Sequence, residues 1–185
     1  MKSLILVFLF FGMAMFYIGC SDNNPSAPQL NQNDQTATSI AKVVTTFEGT
    51  SNFIELLDPG STTDLPGGKT LTSGQVARWH DYADDPRVTG FGDWVLNIKL
   101  NKDGQGQVWG TAEMLVDNDG GKWEITWHGV IWLVHPVTGD LYIKVIASGK
   151  GTDGDVEGLA AEWTYILDNL NNGYMYKSKG FIREK

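Results

Sequence analysis

From Val43 onward, apolar and polar residues alternate with period two, and clusters rich in Gly, Asn and Asp interrupt the alternation about every ten residues. That rhythm admits strands joined by tight turns. It excludes a helical domain, whose apolar positions would recur every three to four residues. Trp94, Leu96, Ile98 and Leu100 share one strand face, with Val95, Asn97 and Lys99 on the other, and Asn101 to Gly106 reads as a turn. Val108, Gly110, Ala112 and Met114 then alternate with Trp109, Thr111, Glu113 and Leu115, and Asp117 to Gly121 turns the chain back. Trp123, Ile125 and Trp127 share a face, and Gly129 breaks the alternation, as at a bulge or a close backbone approach. Val130 to Val134, Leu141 to Ala147, Leu159 to Leu167 and Tyr174 to Ile182 read as further strands. Between them lie turns at Pro136 to Gly139, Gly149 to Gly154 and Asn171 to Gly173. With Lys42 to Leu57 and Val76 to Ala83 as the first strands, the count is about eight.

The expected fold is therefore all-β, a small closed antiparallel barrel of about eight strands, with a β-sandwich as the alternative. Hairpin connections suit an up-and-down barrel, and closure removes the exposed edges of a flat meander. The 22 glycines fit strongly coiled strands in a narrow barrel. The strands lack a consistently lipid-facing apolar side, which argues against an outer-membrane pore.

The N-terminus has a different character. Lys2 precedes an apolar run from Leu4 to Ile18, which has the length of an export signal and is short for a membrane span. It ends at Gly19-Cys20, and Tyr17-Ile18-Gly19-Cys20 resembles the lipobox of bacterial lipoproteins, with Tyr17 where Leu is usual. That resemblance implies cleavage before Cys20, lipidation of Cys20 and a membrane as partner, because several acyl chains anchor stably where one is marginal. Ser21 rather than Asp follows, so the outer membrane is the expected location, facing the periplasm or the surface. Residues 20–40, rich in Asn, Gln, Ser, Thr and Pro, have the composition of a solvated tether. The expected organisation is a signal peptide at 1–19, a lipid-anchored tether at 20–40 and one barrel domain at 41–185. Cys20 is the sole cysteine, so no internal disulfide and no Cys-rich metal site can form.

Several short motifs occur in order: Asp85-Pro86-Arg87, Trp109-Gly110-Thr111, Gly121-Lys122-Trp123-Glu124 with Trp127-His128-Gly129, and Gly149-Lys150-Gly151 with Val156-Glu157-Gly158-Leu159. Over Val76 to Glu184 the chain resembles a family of uncharacterised bacterial secreted proteins, and its general architecture is similar to the small barrels of the allene oxide cyclase and dirigent kind. Glu124-Ile125-Thr126-Trp127 departs from the family's Gly-Thr before the second Trp, and Ile131 to Asp140 lengthens a hairpin. The resemblance implies a barrel and transfers no activity.

The chemistry-bearing residues narrow the function by exclusion. A formal charge of -8 argues against nucleic acid as a partner, because phosphate binding needs a positive surface. His80, His128 and His135 have no zinc-ligand spacing, and the aspartates of the glycine turns lack the closing Glu of an EF-hand, so no metal is expected. The glycine-rich Gly149 to Gly158 precedes no helix and carries Asp153, Asp155 and Glu157, which would repel a phosphate, so no cofactor is expected either. No nucleophile elbow or Ser-His-Asp order is present, and no catalytic residue is assigned. The candidate ligand-binding residues are Trp109, Trp123, Trp127 and Trp132, with Glu124 and His128 among them, since stacked aromatics beside a few polar groups suit an apolar or sugar-like ligand. Alternation puts Trp123 and Trp127 on the opposite face from Glu124 and His128. The two tryptophans are expected inside, with Trp109 or Trp132 more exposed.

The expected function is a non-catalytic, lipid-anchored binding module for a small apolar molecule, a glycan or a partner protein. The alternative is a small-barrel isomerase or cyclase using an interior carboxylate or His. Glu113, Glu124, His128 and Glu162 are its strand-borne candidates.

Overall fold

A computed structural model describes residues 43–167 and 175–184 and resolves the alternation into nine strands. These are β1 (Val44–Asp58), β2 (Ser61–Leu65), β3 (Lys69–Ala83), β4 (Gly90–Leu100), β5 (Gln105–Val116), β6 (Gly121–Trp132), β7 (Tyr142–Asp153), β8 (Ala160–Leu167) and β9 (Met175–Arg183). The expected signal peptide, the tether and Cys20 lie outside the described residues, as does the expected turn at 171–173.

From β3 to β9 each strand pairs antiparallel with the next, β9 pairs with β1, and β1 pairs with β3. That last pairing closes an eight-stranded antiparallel barrel. β2 remains outside the closure as an arm paired to the first residues of β3. Sequence reading misses β2 because Ser61, Thr62, Thr63 and Asp64 are exposed on both faces, so no apolar alternation marks them.

Two expected boundaries are corrected. Val130 to Val134 is not a separate strand, because β6 runs on through Gly129 with no shift of register against Val108 or Val145. A Cβ on Gly129 would stand 2.2 Å from the backbone oxygen of Lys144, so this glycine marks a close strand approach and not a bulge. Gly149 to Gly154 is not a turn. β7 continues to Asp153, and the reversal follows at the 3-10 turn Gly154–Val156.

The interior is built from one face of each strand: Trp94 from β4, Val108, Ala112 and Met114 from β5, Trp123, Ile125 and Trp127 from β6, and Trp163 and Tyr165 from β8 are all buried. Rings this large fit a narrow barrel because glycines face them. A Cβ on Gly149 would stand 2.7 Å from the Trp163 indole, and one on Gly110 would stand 3.0 Å from Trp127.

One end of the barrel is plugged. The 3-10 turns Pro86–Val88 and Gly154–Val156 insert Val88 and Val156, both fully buried, beside Trp123. The first turn is held by Asp85, whose carboxylate accepts from the Arg87 backbone N–H at 3.0 Å and from its guanidinium at 3.0 and 2.7 Å. The Trp123 indole N–H donates to the Arg87 carbonyl at 2.7 Å, tying turn to core. The short motifs of the sequence therefore gather largely at this plug or pack the wall: the Asp-Pro-Arg run caps it, Trp123 fills it, and Gly151 to Leu159 forms its second turn. β1 begins and β9 ends at the same end, where Glu184 N–H donates to the Val43 carbonyl.

Candidate functional site

Above the plug the barrel interior is not filled. An apolar cavity is walled mainly by Trp79 and Trp94, by the aliphatic side chains of β4 to β7, and by Tyr165 and Tyr176, with Ser51 among them. The cavity volume is about 70 Å³. The cavity is thus narrow, suited to a slender molecule. Aromatic neighbours brace its wall: Trp94 meets Trp127 at 5.8 Å and Tyr165 at 5.4 Å, and Trp79 meets Tyr176 at 5.1 Å between ring centroids.

Of the polar residues, Ser51, Tyr165 and Tyr176 line this cavity, and Asp81 is buried behind them. Asp81 of β3 stands opposite Ser51 of β1, and Ser51 in turn stands opposite Tyr176 of β9. Tyr165 reaches from β8 past β9 and β1, and its phenol donates to Asp81 Oδ2 at 2.9 Å. Asp81 is 4% exposed, and its second oxygen, Oδ1, has no hydrogen-bond partner. Burial pushes the carboxyl up to about 6, against the opposing pull of the Ser51 and Tyr165 hydroxyls and of His80. Burial, and then the Asp81 charge, raises the Tyr165 phenol well above its ordinary range, so it stays protonated and donates. Burial also raises Tyr176.

The six residues expected to form a site are divided among separate places. Trp127 lines the cavity, whereas Trp123 is buried in the plug. Trp109 and His128 are cross-strand partners on the outer face, both exposed, over a shallow concavity that includes Lys144 and Ile146. Glu124, also outside, stands opposite Glu113, with Lys122 Nζ 3.8 Å from one and 3.9 Å from the other. Trp132 ends β6, with its ring 5.5 Å from Tyr142 and 5.7 Å from His135. The further strand-borne candidate Glu162 accepts from Arg183 at 2.6 Å on the exterior. Glu113, Glu124, His128 and Glu162 are therefore not interior groups.

The interior carboxylate is instead Asp81, a residue that sequence reasoning passed over. Its signal is present in the alternation: Ala77, Trp79 and Asp81 share a face, and an acid on an apolar strand face is the anomaly worth following. Its neighbour His80 faces outward and is buried between the rings of Tyr82 and Phe91, both at 4.0 Å, with Nε2 3.1 Å from Asp117. Among the described residues, no cluster of three or more His, Cys, Asp or Glu is placed to hold a metal ion.

Fold and cavity together define a small closed β-barrel with an apolar interior that carries one polar cluster. No family model matches the chain, and no curated protein or solved structure matches it either.

Proposed function

We propose that the protein is a cell-envelope binding module, anchored through lipidated Cys20 in the outer membrane, whose barrel takes up a small, mainly apolar molecule. The observation that carries this reading is the cavity: an almost wholly apolar lining of aromatic and branched side chains, joined by Ser51, Tyr165 and Tyr176, with the Asp81 carboxyl buried behind the Tyr165 phenol. Such a lining removes an apolar ligand from water at about 25 cal/mol per Å² and leaves orientation to a few polar groups. The outer faces offer less. Arg78 there pairs with Asp93, Lys122 with Glu124 and Arg183 with Glu162.

A second reading, a small-barrel isomerase or cyclase, is favoured by Asp81 alone. A buried carboxyl raised to about 6 beside a phenol is a competent proton donor or acceptor near neutral pH.

Native mass spectrometry of the protein purified from its own host tests both. A co-purifying apolar molecule, absent after Ile143→Trp narrows the cavity, supports binding. A protein that retains the same adduct in that variant binds it elsewhere, which defeats the cavity reading. Conversion of the released molecule on incubation with fresh protein, lost in Asp81→Asn, supports the enzyme.

A further inference from the structure

Among the described large apolar residues, Val137 at 85% and Val134 at 63% are the most exposed, and both lie in the connection from β6 to β7, with Leu133 at 47% beside them. This connection stands at the end of the barrel opposite the plug. Ile131 and Ile143, which face each other across the two strands, line the cavity one residue inside Trp132 and Tyr142.

The hairpin is layered. Its tip carries Val134 and Val137, the rings of Trp132, His135 and Tyr142 follow at 5.1–5.7 Å from one another, and exposed Lys144, opposite Val130, comes next. Aliphatic, then aromatic, then cationic is the order in which side chains partition from the acyl region of a bilayer through its interface to its headgroups. A protein partner imposes no such order on a loop. Asp140, the one carboxylate between Trp132 and Tyr142, lies with the rings and not at the tip, since its carbonyl accepts from the His135 N–H at 2.8 Å. The tip's backbone also suits a medium without water, where an unmet N–H is strongly disfavoured. Leu133 N–H donates to the Gly104 carbonyl, Val137 N–H to His135 Nδ1, Gly139 N–H to the His135 carbonyl and Asp140 N–H to the Thr138 hydroxyl, and Pro136 has no N–H.

We infer that this hairpin dips into a phospholipid bilayer, with Val134 and Val137 among the acyl chains, and so turns the cavity toward the membrane. The inference rests on the envelope location proposed above and names the surface that meets the bilayer. The reach is sufficient. The chain enters β1 at the plug end, and β6 and β7, 12 residues each, are about 40 Å long. Fully extended, the chain from Cys20 to Val43 spans up to about 80 Å, so an anchor at Cys20 leaves the far end of the barrel free to meet the same membrane. An apolar ligand then passes between bilayer and cavity without crossing water.

The test uses the full chain purified from its own host and held in phosphatidylcholine vesicles. A tryptophan is placed at the tip by Val137→Trp or on the plug by Glu157→Trp, and the emission of the unmodified protein is subtracted. The tip reporter should emit at shorter wavelength and lose severalfold in intensity when the acyl chains are brominated near the headgroups, while the plug reporter keeps its intensity. Adding Val134→Asp to the tip reporter should largely abolish the quenching. A tip reporter that bromination leaves unchanged, in protein that sediments with the vesicles, overturns the docking and leaves the envelope location intact. Protein that does not sediment overturns both. Emission at shorter wavelength without quenching places the tip against protein and overturns the bilayer assignment. Equal quenching of the two reporters overturns the orientation.

Discussion

Tyr165 donates a hydrogen bond of 2.9 Å to Asp81 across the barrel interior, joining residues 84 positions apart in the chain. The bond holds a carboxylate inside an apolar core, where an isolated charge would be strongly disfavoured. It leaves the second carboxylate oxygen unmet. The strain on that site is electrostatic, and pH exposes it.

Because burial raises the Asp81 carboxyl to about 6, the folded protein holds its proton more tightly than the unfolded chain, where the group titrates near 4. Its contribution to stability is therefore full below about pH 4 and is lost as pH rises through about 6. Asp81→Asn stays neutral throughout. Urea unfolding should show the variant gaining on the unmodified protein by roughly 2–3 kcal/mol between pH 4 and pH 7.5. A difference between the two proteins that does not change with pH would contradict the buried, raised carboxyl.

Gly149 and Trp163 form a steric pair, since a methyl group at Gly149 would press within 2.7 Å of the indole. Gly149→Ala should destabilise the barrel by about 1–3 kcal/mol, as overpacking does. In a Trp163→Phe background the same substitution should cost markedly less. A double-mutant cycle by thermal or urea unfolding reads the coupling, and strictly additive effects would show that the clash is absorbed elsewhere.

Removing the Asp85 carboxylate releases three hydrogen bonds that shape the turn Pro86–Val88. Asp85→Ala should cost about 1–2 kcal/mol, the range found for lost caps. Because the Trp123 indole donates to the carbonyl of Arg87, its N–H resonance should move in nitrogen-15 NMR spectra while that of Trp109 stays in place. An unmoved Trp123 signal would separate the turn from the plug.

The anchor has its own test. Cys20→Ser in the full chain should release the protein from the membrane fraction or leave it unprocessed. Processed protein that still sediments with membranes would remove lipidation from the proposed function.

How much of this was legible beforehand follows from the range of each interaction. Period-two alternation is local, so it exposed the strands, their inward faces and the burial of Trp123 and Trp127. The closed eight-stranded barrel followed from the number of strands and the shortness of their connections. β2 stayed hidden because neither of its faces is buried, and the extent of β7 was misread because its inward glycines look like turn residues until the rings opposite them are known.

The cavity belongs to a different level. Asp81 stands out in the sequence as an acid on an apolar face, but nothing near it in the chain names Tyr165, which meets it only because closure of the barrel carries β8 across from β3. The tryptophans that cluster between residues 109 and 132 are separated by the same geometry. A strand sends neighbouring side chains to opposite sides of the wall, and the register sets Trp109 opposite His128 rather than Trp127, so Trp109 lies outside and Trp127 within. Local alternation determined which face of each strand is apolar. The curvature that wraps those faces around one axis decided which side chains meet, because contacts across the barrel depend on strand order, register and tilt and not on separation along the chain.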